Sequence, residues 1–281
     1  MLDPKITTKS YSQEILIIIL LIAASLPTIF WMTDRWFAAD SYYSHGVLVP
    51  FISLFLILKK RERFKQIPFS PSPWGMRLFL FGIISYWISA ILHVYFTSGF
   101  SMLVISMALI LHFYGKNALK EILFPLLFLV FMIPLPLIII AFICFKLKIM
   151  AAHLATLTLN SIGLPAIEES SLIKMRHCYV LVEDSCGGLK SLISLTALGS
   201  IFAYQLRSDI FKKSLLFLSA IPIATLTNAG RIVFLSAVSE VYGTGYAQGL
   251  LHNLSGYLVF AFSFLLLYAV KKHLESSSSY D

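Results

Sequence analysis

Three residues whose types can carry out acyl transfer stand in the C-terminal third of the chain: Cys186, Arg231 and His252. A cysteine supplies a nucleophile, a histidine a base and acid, and an arginine a fixed positive charge for a developing oxyanion. Cys186 is followed by Gly187, Gly188, Leu189 and Lys190, where an apolar helix is expected to begin. At a helix start the macrodipole and the unpaired N–H groups favour a thiolate, and Lys190, one turn on, adds to that effect. Gly187 and Gly188 leave room for a peptide backbone to approach, and their N–H groups can face an oxyanion. The plainer reading of Cys186 is a buried small hydrophobe, as most free cysteines are. Cys178 also stands close enough in sequence to bridge it in an oxidising compartment.

Arg231 lies inside an apolar run, 18 residues after Lys213 and hence about 27 Å further along a helix. A charge at such a depth in a membrane is costly and marks function by default. The alternative is an arginine that snorkels to the headgroups. Asn228, three residues earlier, shares its helix face and is expected to orient the guanidinium or bind a substrate carbonyl. His252 and Asn253 fall in the first turn of the last apolar run, and Gly256, one turn later, permits close helix contact. Cys186, Arg231 and His252 therefore come from three successive helices and reach one level. Asn253 and Lys190 are expected to support them from just behind.

No His-Glu-x-x-His, Gly-rich phosphate loop or Cys-x-x-Cys is present, so neither a metal nor an organic cofactor is implied. Leu254-Ser255-Gly256 resembles part of a Gly-x-Ser-Gly serine-protease motif, but Asn253 occupies the place of the first glycine.

The elements that must position these residues are membrane helices. Of 281 residues 58% are apolar and only 13% charged, and the mean hydropathy is +0.83. Soluble domains run nearer half apolar and a quarter charged, so this chain lacks the polar surface to face water all round. The net charge of +8 does not point to nucleic acid, because the basic residues form short clusters between apolar runs.

With about 20 apolar residues per crossing, the runs predict spans near Glu14–Met32, Tyr42–Leu58, Leu78–Phe96, Phe100–Tyr114 and Ile122–Ile133. Three more follow near Gly188–Leu206, Ser214–Val238 and Gly249–Val270. Pro134 and Pro136 break the fifth. The apolar stretch Leu137–Asn160 carries Lys146, Lys148 and His153, and charge parity decides its course. If it lies on the outer interface, eight spans place the clusters Lys5/Lys9, Lys59–Lys65, Lys116/Lys120, Arg207–Lys213 and Lys271/Lys272 all on the cytoplasmic side. If it crosses, the last two clusters move outside. The expectation is an all-α polytopic membrane protein of about eight transmembrane helices, one membrane-embedded domain over residues 1–281. Its small extracytoplasmic segment, about 137–185, includes a short strand at Tyr179–Val182.

Several short motifs resemble those of the exosortase/archaeosortase family. These are Ser44-His45-Gly46-Val47-Leu48-Val49-Pro50, the Pro134-Leu135-Pro136 break, Cys186-Gly187-Gly188-Leu189, Asn228-Ala229-Gly230-Arg231-Ile232 and His252-x-x-x-Gly256. The third is similar to the family's Cys-Ser-Gly-Leu motif, with Gly187 in place of serine. The resemblance implies a multi-pass cysteine protease and transpeptidase of the cytoplasmic (inner) membrane, working on the extracytoplasmic side. Its substrates would be exported proteins carrying a C-terminal sorting signal: a Pro-Glu-Pro-type motif, a transmembrane helix and a basic tail. Cys186, Arg231 and His252 would be catalytic, with Asn228, Gly187, Gly188, Lys190 and Asn253 toward the substrate. Two other classes stay open at this point. One is a transporter or lipid-handling protein that uses Arg231 to bind an anion. The other is a polymerase of lipid-linked sugar, disfavoured by the few acids near the outer ends.

Overall fold

The structure is a computed structural model that describes residues 11–39, 41–68, 70–183, 186–247 and 249–277. The described residues fall into two compact units. The first is drawn from Met1–Ala38 and Val47–Pro134, the second from Ala39–Gly46 and Leu135–Asp281.

The first unit holds α1 (Tyr11–Phe37), α2 (Leu48–Lys59), α3 (Arg61–Gln66), α4 (Pro73–Ile91), α5 (Tyr95–Phe113) and α6 (Lys116–Phe128). Helices α4 and α5 form its most extensive contact. Gly75 and Gly82 set their spacing: a side chain at Gly75 would overlap the backbone of His112, and one at Gly82 would strike Ile105. Tyr86 of α4 donates to the carbonyl of Ala24 in α1 at 2.7 Å. Pro125 lies inside α6 and has no N–H to give the carbonyl of Glu121 four residues back. The ammonium of Lys60 donates to that carbonyl and pairs with the Glu121 carboxylate at 3.0 Å. Two apolar clefts of about 340 and 430 Å³ open in this unit, and neither is lined by a cysteine, histidine or charged side chain.

The second unit carries the chemistry. Pro136 caps α7 (Leu137–Ser161). A three-stranded antiparallel meander follows, β1 (Ile167–Glu169), β2 (Leu172–Lys174) and β3 (Tyr179–Leu181). Its register pairs Glu168 with Ile173 and Ile173 with Val180. The strand expected at Tyr179–Val182 is thus β3 of a small sheet. Then come α8 (Leu189–Gln205), α9 (Ile210–Tyr242), the single turn α10 (Thr244–Ala247) and α11 (Leu250–Ser277).

Two cores hold this unit together. Ala151, Ala152, Ala155 and Leu159 of α7 meet Ile173 and Met175 of the sheet region, Cys178, Val182, Cys186 and Ile232 of α9. Small residues on α7 let the sheet and α9 come close. Leu195, Phe202, Leu216, Ala220, Ala224, Leu267 and Leu274 fill the space between α8, α9 and α11. Within it Thr227 and Ser263 share a hydrogen bond of 2.7 Å, satisfying two hydroxyls that the apolar surroundings would otherwise penalise.

Among the described residues, five helical segments are long and apolar enough to cross a bilayer, against the eight crossings expected. They are α4, α5, α7, α9 and the Leu254–Ser277 part of α11. The expected second, fifth and sixth spans are shorter helices: Ser44–Lys59 falls below the length of the five, α6 has 13 residues and α8 has 17. Helix α7 differs most from expectation. The segment assigned to the interface by charge parity is an unbroken 25-residue helix and the most apolar of the five, so by length and composition it qualifies as a crossing.

Candidate active site

The turn before α8 is built around Gly188. Its φ of +82° is left-handed, which only glycine adopts without strain, and it serves as the N-cap of α8. Cys186 therefore sits three residues ahead of Leu189, at the N-terminal end of this helix as expected. It is 7% exposed. Asn228 of α9, 3% exposed, donates its side-chain N–H to the carbonyl of Cys186 at 2.7 Å. Among the described residues Asn228 makes no hydrogen bond to Arg231; its contact fixes the peptide that follows the cysteine. Because a trans peptide points its C=O and N–H in opposite directions, the Gly187 N–H is turned away from Asn228. Among the described residues neither Gly187 nor Gly188 donates its N–H to a carbonyl.

His252, in the first turn of α11, brings Nε2 to 3.4 Å from the Cys186 sulfur, with Nδ1 at 4.0 Å. Arg231 donates Nε–H to the Ser255 hydroxyl at 3.0 Å and one terminal N–H to the His252 carbonyl at 2.8 Å. Its guanidinium lies over Gly256, where a side chain would come within 3.7 Å of it. Among the described residues these bonds use two of its five guanidinium N–H groups. Cys186, Arg231 and His252 thus meet in one site.

Lys190 is exposed in the first turn of α8 and makes no contact with Cys186 among the described residues. The side chain of Asn253 lies outside the described residues, as do Asp184 and Ser185. Ser255, set aside in the sequence for lacking a serine-protease context, turns out to touch both Arg231 and His252. Spacing places it on the His252 face of α11, but nothing in the sequence pairs it with an arginine 24 residues earlier. His45, from the short segment belonging to this unit, has Nδ1 3.3 Å from the Ser194 hydroxyl of α8.

All three cysteines, Cys144, Cys178 and Cys186, are thiols, so the Cys178–Cys186 bridge is not formed. Burial and a hydrogen bond to Glu240 push the Cys178 thiol up to about 11. At pH 7.5 such a group is almost wholly protonated. Cys178→Ser should therefore leave any thiol-dependent activity intact, and iodoacetamide at pH 7.5 should mark Cys186 in preference to Cys178. Equal loss of activity in Cys178→Ser and Cys186→Ser would contradict this.

Gly188→Ala gives a second check. A Cβ there would sit 2.9 Å from Cγ of Asn228 and occupy a left-handed backbone. The backbone strain alone costs about 1–2 kcal/mol, and the displaced Asn228 loses its bond to Cys186. We expect a thermal midpoint lowered by a few degrees and activity reduced far more than stability. Wild-type activity in Gly188→Ala would remove the turn from the chemistry.

The family model described as transmembrane exosortase matches residues 31–269. The chain belongs to the transmembrane exosortase family, and is a multi-pass membrane protein. No curated protein and no solved structure matches it.

Proposed function

We propose that this protein is a membrane cysteine protease and transpeptidase that cleaves C-terminal sorting signals from exported proteins by way of a thioester. The observation that carries this reading is the Cys186–His252 contact of 3.4 Å with Arg231 tied to the same turn of α11. His252 takes the thiol proton, and the Cys186 sulfur attacks the scissile carbonyl. The developing oxyanion is met by the guanidinium of Arg231, with the Gly187–Gly188 turn beside it. Collapse of the tetrahedral intermediate breaks the C–N bond, and the leaving amine takes the proton held by His252. An incoming nucleophile, water or an acceptor group, then gives its proton to His252 and displaces the thiolate.

The site is placed on the extracytoplasmic side of the cytoplasmic membrane, where an exported substrate with a transmembrane helix and basic tail presents its motif. Charge placement within the second unit supports this. Lys271 bonds Gln205 at 3.2 Å and covers the Phe202 ring, and Lys212 reaches the carbonyl of Ser277. These basic residues gather at the end of the α8–α9–α11 bundle opposite Cys186, as the positive-inside rule requires of a cytoplasmic end.

The test uses cells co-expressing the protein with an exported reporter that ends in a Pro-Glu-Pro-type motif, an apolar helix and a basic tail. The reporter should be shortened only in the presence of the intact protein. In the same cells a membrane-impermeant maleimide should label a cysteine placed at exposed His177 and not one placed at Lys213. Labelling of Lys213→Cys from outside would put the site on the wrong side for such substrates.

A further inference from the structure

We propose that Ser255 is a positioning residue for the Cys186–His252 pair, a role that rests on the proposed cysteine chemistry. Ser255 is 7% exposed, and its hydroxyl does two things at once. It accepts Nε–H of Arg231 at 3.0 Å and donates to the carbonyl of His252 at 2.8 Å. Arg231 donates to that same carbonyl at 2.8 Å, so arginine, serine and the His252 peptide close a ring between α9 and the first turn of α11. The ring fixes the backbone from which the imidazole projects. It also fixes the guanidinium.

A serine that bonds the carbonyl three residues back is ordinary in a helix. Ser200, Ser219 and Ser276 do so in this protein, to Ala197, Leu216 and His273. None of those three hydroxyls receives an arginine. The added charge-assisted bond sets Ser255 apart, and such bonds are about twice as strong as neutral ones. The imidazole that lies 3.4 Å from the Cys186 sulfur projects from this turn, so the ring bears on that contact.

The experiment compares Ser255→Thr with Ser255→Val, two side chains of the same shape that differ by the hydroxyl, and uses Ser200→Ala as a control for a plain back-bond. The readout is the rate of iodoacetamide alkylation at Cys186 in the detergent-solubilised full chain at pH 7, measured by peptide mass spectrometry with Cys178 as internal reference. We expect Ser255→Val to slow Cys186 alkylation by about tenfold or more, a part of the 10²–10⁴ that a positioned base contributes. Ser255→Thr should stay within about threefold of wild type, and Ser200→Ala should be unchanged. Reporter processing should follow the same order. Equal rates for the Thr and Val variants, or an equal loss in Ser200→Ala, would overturn the assignment. Retained processing by Cys186→Ala would instead overturn the underlying cysteine chemistry, whatever the alkylation rates show.

Discussion

Cys186→Ala is expected to abolish processing of the co-expressed reporter while the protein still inserts and accumulates at wild-type levels. The side chain is small and sits in a core of alanines, valine and isoleucine, so alanine removes the sulfur with little disturbance of packing. The rate should fall by at least about a thousandfold, the scale seen when one member of a cooperating nucleophile–base pair is removed. His252→Ala should be nearly as severe, since the imidazole nitrogen 3.4 Å from the sulfur is the group placed to move its proton. The double variant should be hardly worse than Cys186→Ala alone, because each group has little to do without the other. Additive losses would mean that the two residues act separately, and the 3.4 Å contact would then be packing.

Arg231→Lys is expected to fail almost as completely as Arg231→Ala. The guanidinium holds Ser255 through Nε and the His252 carbonyl through a terminal nitrogen. An ammonium is a point charge and cannot make both contacts while presenting a planar edge to an oxyanion. Loss of one oxyanion donor costs about 10²–10³ in rate, and the lysine variant also loses the clamp on α11. The same pair of substitutions separates enzyme from transporter. A protein that merely binds an anion needs the charge, so Arg231→Lys would keep much of its function and Cys186→Ala nearly all of it.

The apolar runs made most helices legible. Pro136 caps α7, where a residue without an N–H costs the helix no bond, but Pro125 and Pro222 lie inside α6 and α9. The meeting of Cys186, Arg231 and His252 was also legible, because depth along successive helices is a matter of counting residues. The partners of Asn228 were not. Its face toward Arg231 follows from helical spacing, but its bond goes to a carbonyl 42 residues away, and no periodicity encodes that. Ser255 escaped for the same reason. The left-handed conformation of Gly188, just ahead of α8, is one that the paired glycines permit but do not dictate. Helix α7 is assigned to the interface by charge parity alone, while its length and composition also fit a crossing. Lys146 rests near the ring of Phe142 and Lys148 near that of Phe145, each cation 5.8 Å from the centroid, contacts that let charged residues sit within an unbroken apolar helix.

A covalent adduct between Cys186 and the reporter bears most directly on the thioester chemistry. His252→Ala and wild-type proteins would be quenched in acid after brief co-expression with the reporter, and Cys186 peptides examined by mass spectrometry. Wild-type protein should carry the N-terminal reporter fragment on Cys186 as a thioester that neutral hydroxylamine removes, and His252→Ala should carry far less of it. Reporter cleavage that proceeds with Cys186 unmodified, and that survives Cys186→Ala, would contradict the thioester mechanism outright.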